Sequence, residues 1–172
     1  IETRASNVTG GSLKFTVGRN VSLLTGNSSS FCLIGCIDAD RSTPANITVD
    51  ILFNHIGGDL TLQGANNIGP TANGFAQIGH LVTPTVPEPG ILNGNISLFV
   101  DGSISLVGGS ARETSTARIG HLGGIAPFTT TGKISAIAGK NIVMQSNTGS
   151  ANITNAGGDI TLVTNIGSIQ LD

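Results

Sequence analysis

The chain has 172 residues and a net charge of −2, with 38% hydrophobic and only 10% charged residues, 25 glycines and neither Trp nor Tyr. Charge this low is well under the roughly 25% of an average domain, yet no apolar run approaches the roughly 18 residues a spanning helix needs, so no membrane insertion is expected in this segment. Recurrent Ile, Leu and Val exclude a disordered composition, and the eight Lys and Arg are scattered without aromatic companions, which disfavours nucleic-acid binding.

Taken in order, the chain reads as an array. The first unit runs through Gly11–Val17, Gly18–Leu23 and Phe31–Cys36, and the second through Ile47–Ile51, Gly58–Leu62 and Phe75–His80. The third runs through Gly94–Leu98, Gly102–Leu106 and Thr116–His121, and the fourth through Gly132–Ile137, Gly139–Met144 and Ser150–Asn155. A fifth opens with Gly158–Leu162 and Gly167–Leu171. The phrase Ala-x-Ile-Gly-His, at Ala76–His80 and Ala117–His121, has degraded copies at Cys32–Cys36 and Ala151–Asn155. Its Ile falls at 34, 78, 119 and 153, a period of about 40 that drifts with loop length. The opening at Ile1, without Met or leader, reads as a processed or excised chain whose targeting signal lies outside it.

Within each unit the smallest word is Gly-x-Ile-x-Leu, as in Gly102–Leu106 and Gly158–Leu162. Apolar residues alternate with small polar ones, the period of a strand with one buried face. No segment shows helical spacing or a helix cap, so almost no helix is expected. Identical residues at equivalent positions favour an all-β fold in which the chain coils and each strand stacks on its copy, a parallel β-helix or β-solenoid. It is preferred to an antiparallel sandwich, whose core is usually richer in aromatic residues. The word-initial Gly fits corners where positive φ or close backbone approach excludes a Cβ.

The tandem words, with Gly-Gly-Asp-Ile-Thr-Leu at Gly157–Leu162, resemble bacterial exoproteins of the filamentous-haemagglutinin type and autotransporter passengers. That resemblance implies a right-handed parallel β-helix with about twenty residues per coil. The unit of this chain is longer, nearer two such coils, and carries the additional Ile-Gly-His phrase. The expectation is one solenoid segment over residues 1–172, with four to five imperfect repeats. Residues 1–9 would be a cap or joining strand, and side loops near 38–46, 82–93 and 123–131 would leave one side of the rod. With loops set aside, about seven coils give a rod of roughly 35 Å.

No catalytic, cofactor-binding or metal site is assigned. His80 and His121 share a phase with Cys36 and Asn155, and one donor per unit makes a ladder rather than a zinc fork. Each imidazole is expected at a corner, bonded to a carbonyl of the following loop. His55 reads as a strand-end surface residue. Cys32 and Cys36 lie about 13 Å apart in an extended strand, too far for a disulfide; Cys32 reads as a small buried hydrophobe and Cys36 as the more exposed thiol. Sequons at Asn7, Asn20, Asn27, Asn46, Asn95 and Asn152 arise from the repeat word itself. Gly57–Asp59 and Gly157–Asp159 miss the calcium nonapeptide pattern, and Asp59 and Asp159 read as equivalent corner residues. Among the acids, only Asp38-x-Asp40-Arg41 is clustered, and it lies in a loop.

The function expected is therefore structural and adhesive, not enzymatic: a stiff extracellular or cell-surface rod whose loops meet a host or neighbouring cell. The alternative partner is an identical subunit, added end to end in a fibre or sheath. A third reading is a carbohydrate-active β-helix enzyme, disfavoured by the lack of paired carboxylates and aromatic platforms.

Overall fold

A computed structural model of the chain describes residues 2–4, 7–26, 30–38, 46–66, 74–82, 90–122 and 128–172. These residues form 18 strands and no helix. In chain order they are β1 (Glu2–Arg4), β2 (Asn7–Val17), β3 (Val21–Leu24), β4 (Phe31–Asp38), β5 (Asn46–Ile56), β6 (Leu60–Gln63) and β7 (Phe75–Ile78). There follow β8 (Leu81–Val82), β9 (Gly90–Asn93), β10 (Ile96–Val100), β11 (Ile104–Val107), β12 (Ala117–Ile119) and β13 (Phe128–Thr130). The last are β14 (Ile134–Ala138), β15 (Ile142–Gln145), β16 (Ala151–Ile153), β17 (Ile160–Thr164) and β18 (Ile169–Leu171).

All strand pairings among the described residues are parallel. They build three sheets. The first runs β13-β9-β5-β10-β14-β17, with β2 also on β5; the second runs β18-β15-β11-β6-β3; the third runs β1-β4-β7-β12-β16, with β8 on β4. The chain visits the sheets in rotation, so each strand pairs with its counterpart one circuit away.

Register follows the sequence words. In the first sheet Leu13, Ile51, Ile96, Ile134 and Ile160 stand in one row. The second sheet aligns Val21, Leu60, Ile104, Ile142 and Ile169. In the third, Cys32, Ala76, Ala117 and Ala151 form one row, and Ile34, Ile78, Ile119 and Ile153 another. The inward members of the central levels are sealed: Ile51, Leu60, Ile78, Ile96, Ile104, Ile119 and Ile142 expose nothing. They form one continuous core with Phe53, Leu62, Leu98 and Leu106. A smaller second core holds Cys36, Ile47, Val49, Val82 and Leu92.

Two expectations change, and a choice left open is decided. Each unit of about 40 residues makes one circuit of the three sheets rather than two, because much of its length lies between strands. The second sheet accordingly has five levels, not seven, and their four gaps span roughly 20 Å. The spans read as loops at 82–93 and 123–131 contain β9 and β13, which pair with each other, and β9 also joins Asn46–Thr48 of β5. Residues 83–89 and 123–127 of those spans, with 39–45, lie outside the described residues. Finally, close approach rather than backbone sign explains most word-initial glycines. A Cβ on Gly94, Gly132 or Gly139 would collide with the carbonyl of Val49, Gly94 or Asp101 on the adjacent level. Positive φ is confined to Gly10, Gly11, Gly79 and Gly120 among the described residues.

Segment 1–9 splits in two. Glu2–Arg4 lies beside Gly35–Ile37, and Asn7–Thr9 lies beside Asn46–Thr48, two joining strands within the stack.

Candidate functional site

The most unusual chemistry is inside the stack, where the Ile-Gly-His phrase ends. A central apolar rung would normally be filled by Ile or Leu, but here His80 is wholly buried and His121 is 7% exposed. The preceding glycines permit it. Gly79 (φ 149°) and Gly120 (φ 143°) adopt a backbone disfavoured for L-residues, and the turn aims the next side chain inward. A Cβ on Gly35 would strike the carbonyl of Gly79, one on Gly79 that of Gly120, and one on Gly120 that of Thr154.

The two imidazoles stack with ring centroids 4.6 Å apart and planes 10° from parallel. His80 Nε2 lies 2.7 Å from the Val49 carbonyl oxygen, and His121 Nε2 lies 2.8 Å from that of Gly94. At Nδ1, His80 accepts the Cys36 backbone N–H (3.1 Å), and His121 accepts the His80 backbone N–H (3.0 Å). A carbonyl only accepts and a backbone N–H only donates, so both rings are neutral with the proton on Nε2. Asn155 continues the row, its Nδ2 donating to the Gly132 carbonyl. Each side chain thus ties the third sheet to the first within its own circuit. The carbonyl lies earlier in the same unit, on β5 for Val49 and just before β10 and β14 for Gly94 and Gly132, not in the loop after the phrase as expected.

Burial lowers the pKa of His80 to about 4, with a further push from His121, against the pull of the Val49 carbonyl and Asp50. Burial lowers that of His121 as well, opposed by its bond to Gly94. Both nitrogens of both rings are engaged in hydrogen bonds, so neither ring has a free nitrogen to offer a metal.

Elsewhere the structure separates what the sequence grouped. Cys36 is 1% exposed and the partly exposed thiol is Cys32, the reverse of the expectation, because Cys36 occupies the rung above His80. Neither cysteine forms a disulfide, and Cys32 Sγ donates to the Leu24 carbonyl at 3.2 Å. His55 is on the surface of β5, 2.9 Å from Asp101 Oδ2. Asp59 and Asp159 are not equivalent. Asp59 precedes β6 at the edge of the second sheet, whereas Asp159 precedes β17 in the first, where Lys133 is its equivalent one level away. Asp40, Arg41 and Asn27 lie outside the described residues.

A second set of polar residues was not recognised in the sequence as a unit. Asn20, Asp59 and Asn141 each accept, through a side-chain oxygen, the backbone N–H of Asp59, Ser103 and Ser168 respectively. Ser103 continues the row to the Asn141 N–H at 3.4 Å. The signal was there: the residue before the first apolar residue of each second-sheet word is Asn, Asp or Ser, the types that bond neighbouring backbone. Asp50 and Asn95 do the same at the first-sheet corner, accepting the N–H of Asn95 and Lys133. These contacts engage two of the sequon residues, Asn20 and Asn95. Gln77 gave no such signal, yet it is buried on the other face of the third sheet and donates to the carbonyls of His80 and Gly120.

On the outside, a groove of about 400 Å³ is lined by Phe75, Gln77, Glu113, Thr116, Arg118 and Leu122, among others. Arg118 Nε donates to Asn152 Oδ1 at 3.0 Å, and burial lowers the guanidinium pKa. Glu113 is the one carboxylate among its described lining residues, so the groove presents no acid–base pair. Among the described residues, no three His, Cys, Asp or Glu side chains converge as a metal centre would require. Comparison of the chain with protein-family models, with curated proteins and with solved structures found no match.

Proposed function

We propose that the chain is a right-handed parallel β-helix segment of a large secreted or surface-exposed bacterial exoprotein, non-enzymatic, serving as a stiff rod that presents loops to a host or neighbouring cell. The observation that carries the reading is the in-register stacking of like residues across three parallel sheets, with Ile96 on Ile134, Ile104 on Ile142 and Ala117 on Ala151. Such a stack resists bending because every level shares its backbone hydrogen bonds and its apolar rows with the next. Right-handedness follows the general preference of parallel crossover connections. Adhesive contact is assigned to the spans at 39–45, 83–89 and 123–127, since insertions recurring at one phase of an array often carry its binding contacts.

The test is surface exposure and binding in the source bacterium. Antibodies against the segment should label intact cells, and replacing residues 83–89 with a short Gly-Ser turn should reduce cell binding without changing the circular-dichroism spectrum. Labelling that requires permeabilised cells would sink the extracellular reading.

A second reading, an end-to-end fibre subunit, has its own support. The inward positions of the last level are open, with Ile160 41%, Ile169 44% and Leu171 70% exposed. A second copy stacking there would cover them. Electron microscopy across a concentration series should then show fibres; monomers at the highest concentration would exclude it.

A further inference from the structure

We infer that the buried His80–His121 pair is an acid-operated latch, whose protonation releases the seam between the third sheet and the first while the main apolar core stays closed. The argument starts from hydrogen-bond capacity. A neutral imidazole has one donor and one acceptor, and each ring has spent both, on Val49 and Cys36 for His80, and on Gly94 and His80 for His121. A second proton must go to Nδ1, where a backbone N–H already points at it from about 3 Å. Donor would then face donor in both rungs. The rings would also become two cations with centroids 4.6 Å apart in a space closed to water, where nothing solvates or separates them.

The surrounding groups do little to offset this. From β5, Asp50 attracts the charge, but its Oδ1 is bonded to the Asn95 N–H at 2.7 Å. The level above supplies the Cys36 backbone, which pairs with Thr3 of β1. The level below supplies the neutral Asn155, and β8 and β9 carry no titratable side chain. Proton uptake by His80 is held off until about pH 4, against an ordinary value near 6.5. The latch contribution is therefore complete above pH 6.5 and is lost as pH falls through about 4. The residues it releases are the smaller core, Ile47, Val49, Val82 and Leu92, next to the 39–45 and 83–89 spans. Acid would loosen that side of the stack and leave the Leu60–Ile104–Ile142 row intact.

The chain itself contains the control. On the next rung Asn155 makes the same bond, to Gly132, with a side chain that does not titrate. The experiment is hydrogen exchange from pH 7 to pH 3.5, corrected for intrinsic rates, on the wild-type chain and the His80→Asn, His121→Asn double variant. In the wild type, peptides covering 46–50, 78–82 and 90–95 should lose protection at least tenfold below pH 5, while 104–107 and 142–145 keep theirs. The double variant retains every carboxylate and should lack that step. Equal acid loss in both proteins, or uniform loss across the wild-type chain, overturns the inference. Should the double variant fail to fold at pH 7, nitrogen NMR of the wild-type imidazoles decides. His80 should stay in the neutral Nε2–H form to pH 5, His121 should titrate below its ordinary value, and both should titrate together with the β8 amides. Titration near pH 6.5 with those amides unmoved refutes the latch.

Discussion

Replacing Ile104 by Ala, and comparing it with the same change at Ile169, tests whether the apolar rows hold the stack together. Both residues occupy one row of the second sheet, with Ile142 between them. Ile104 is completely buried and Ile169 is 44% exposed, so chemistry and strand position are matched and only coverage differs. Truncation to Ala removes three carbons, about 0.8 kcal/mol each if fully buried, or about 2.4 kcal/mol. A residual void of roughly 40 Å³ at position 104 adds about 1 kcal/mol. The sum, about 3.5 kcal/mol, is a large part of the roughly 5–15 kcal/mol that stabilises a typical domain. At position 169 the transfer contribution falls to about 1.3 kcal/mol and the void opens to solvent, so little is added. With neither Trp nor Tyr in the chain, urea unfolding followed by far-ultraviolet circular dichroism is the assay. A midpoint shift at least twice as large for I104A as for I169A is expected. Equal shifts, or less than about 1 kcal/mol at position 104, would refute a core built from stacked rows.

Ile104→Asp should abolish the cooperative transition altogether, since a carboxylate in that row has no partner and no water; an unchanged melting curve would show the side chain faces outward. Gly79→Ala should destabilise more than any surface change, by about 3 kcal/mol or more, because it combines a positive φ with a collision against the Gly120 carbonyl; a loss below about 1 kcal/mol in the same urea assay would show that the turn relaxes. Asn141→Ala removes the acceptor of the Ser168 N–H and should cost about 1 kcal/mol, read as a lower melting temperature that Asn141→Asp largely restores. Between pH 7 and pH 4 the wild type should lose about 3 kcal/mol more than His80→Asn, from a folded pKa of about 4 against 6.5 unfolded; parallel pH profiles would contradict the assignment. Lys133→Ala should leave stability within about 0.5 kcal/mol, since its ion pair with Asp159 is 3.7 Å long and largely exposed.

The strands and their facing were legible because they are periodic. Ile96, Leu98, Ile104 and Leu106 alternate with small polar residues, and a two-residue period assigns each to one side without knowledge of any neighbour. Repetition at about 40 residues then dictated which strands stack, since Cys32, Ala76, Ala117 and Ala151 announce one row by themselves. What the sequence could not carry was where side chains at the turns point. His80 reads as a corner residue until Gly79 at φ 149° turns it inward, and Cys36 changes from exposed thiol to sealed core because it packs with Ile47, Val49, Val82 and Leu92. The number of levels depended on how much of each unit runs between strands, and 90–93 and 128–130 look like loop until β5 supplies an edge for β9, and β9 one for β13. Asp59 and Asp159 share a local motif, Gly-Gly-Asp, yet stand at different corners, because local sequence sets a turn and the circuit sets which turn it is. Period and composition thus determined the strands, their inward faces and their stacking order, all properties of residues near in sequence or repeated along it. Only the tertiary structure decided the buried imidazole row and the bonds that close each circuit, since those depend on groups 27 and 31 residues apart meeting across the core.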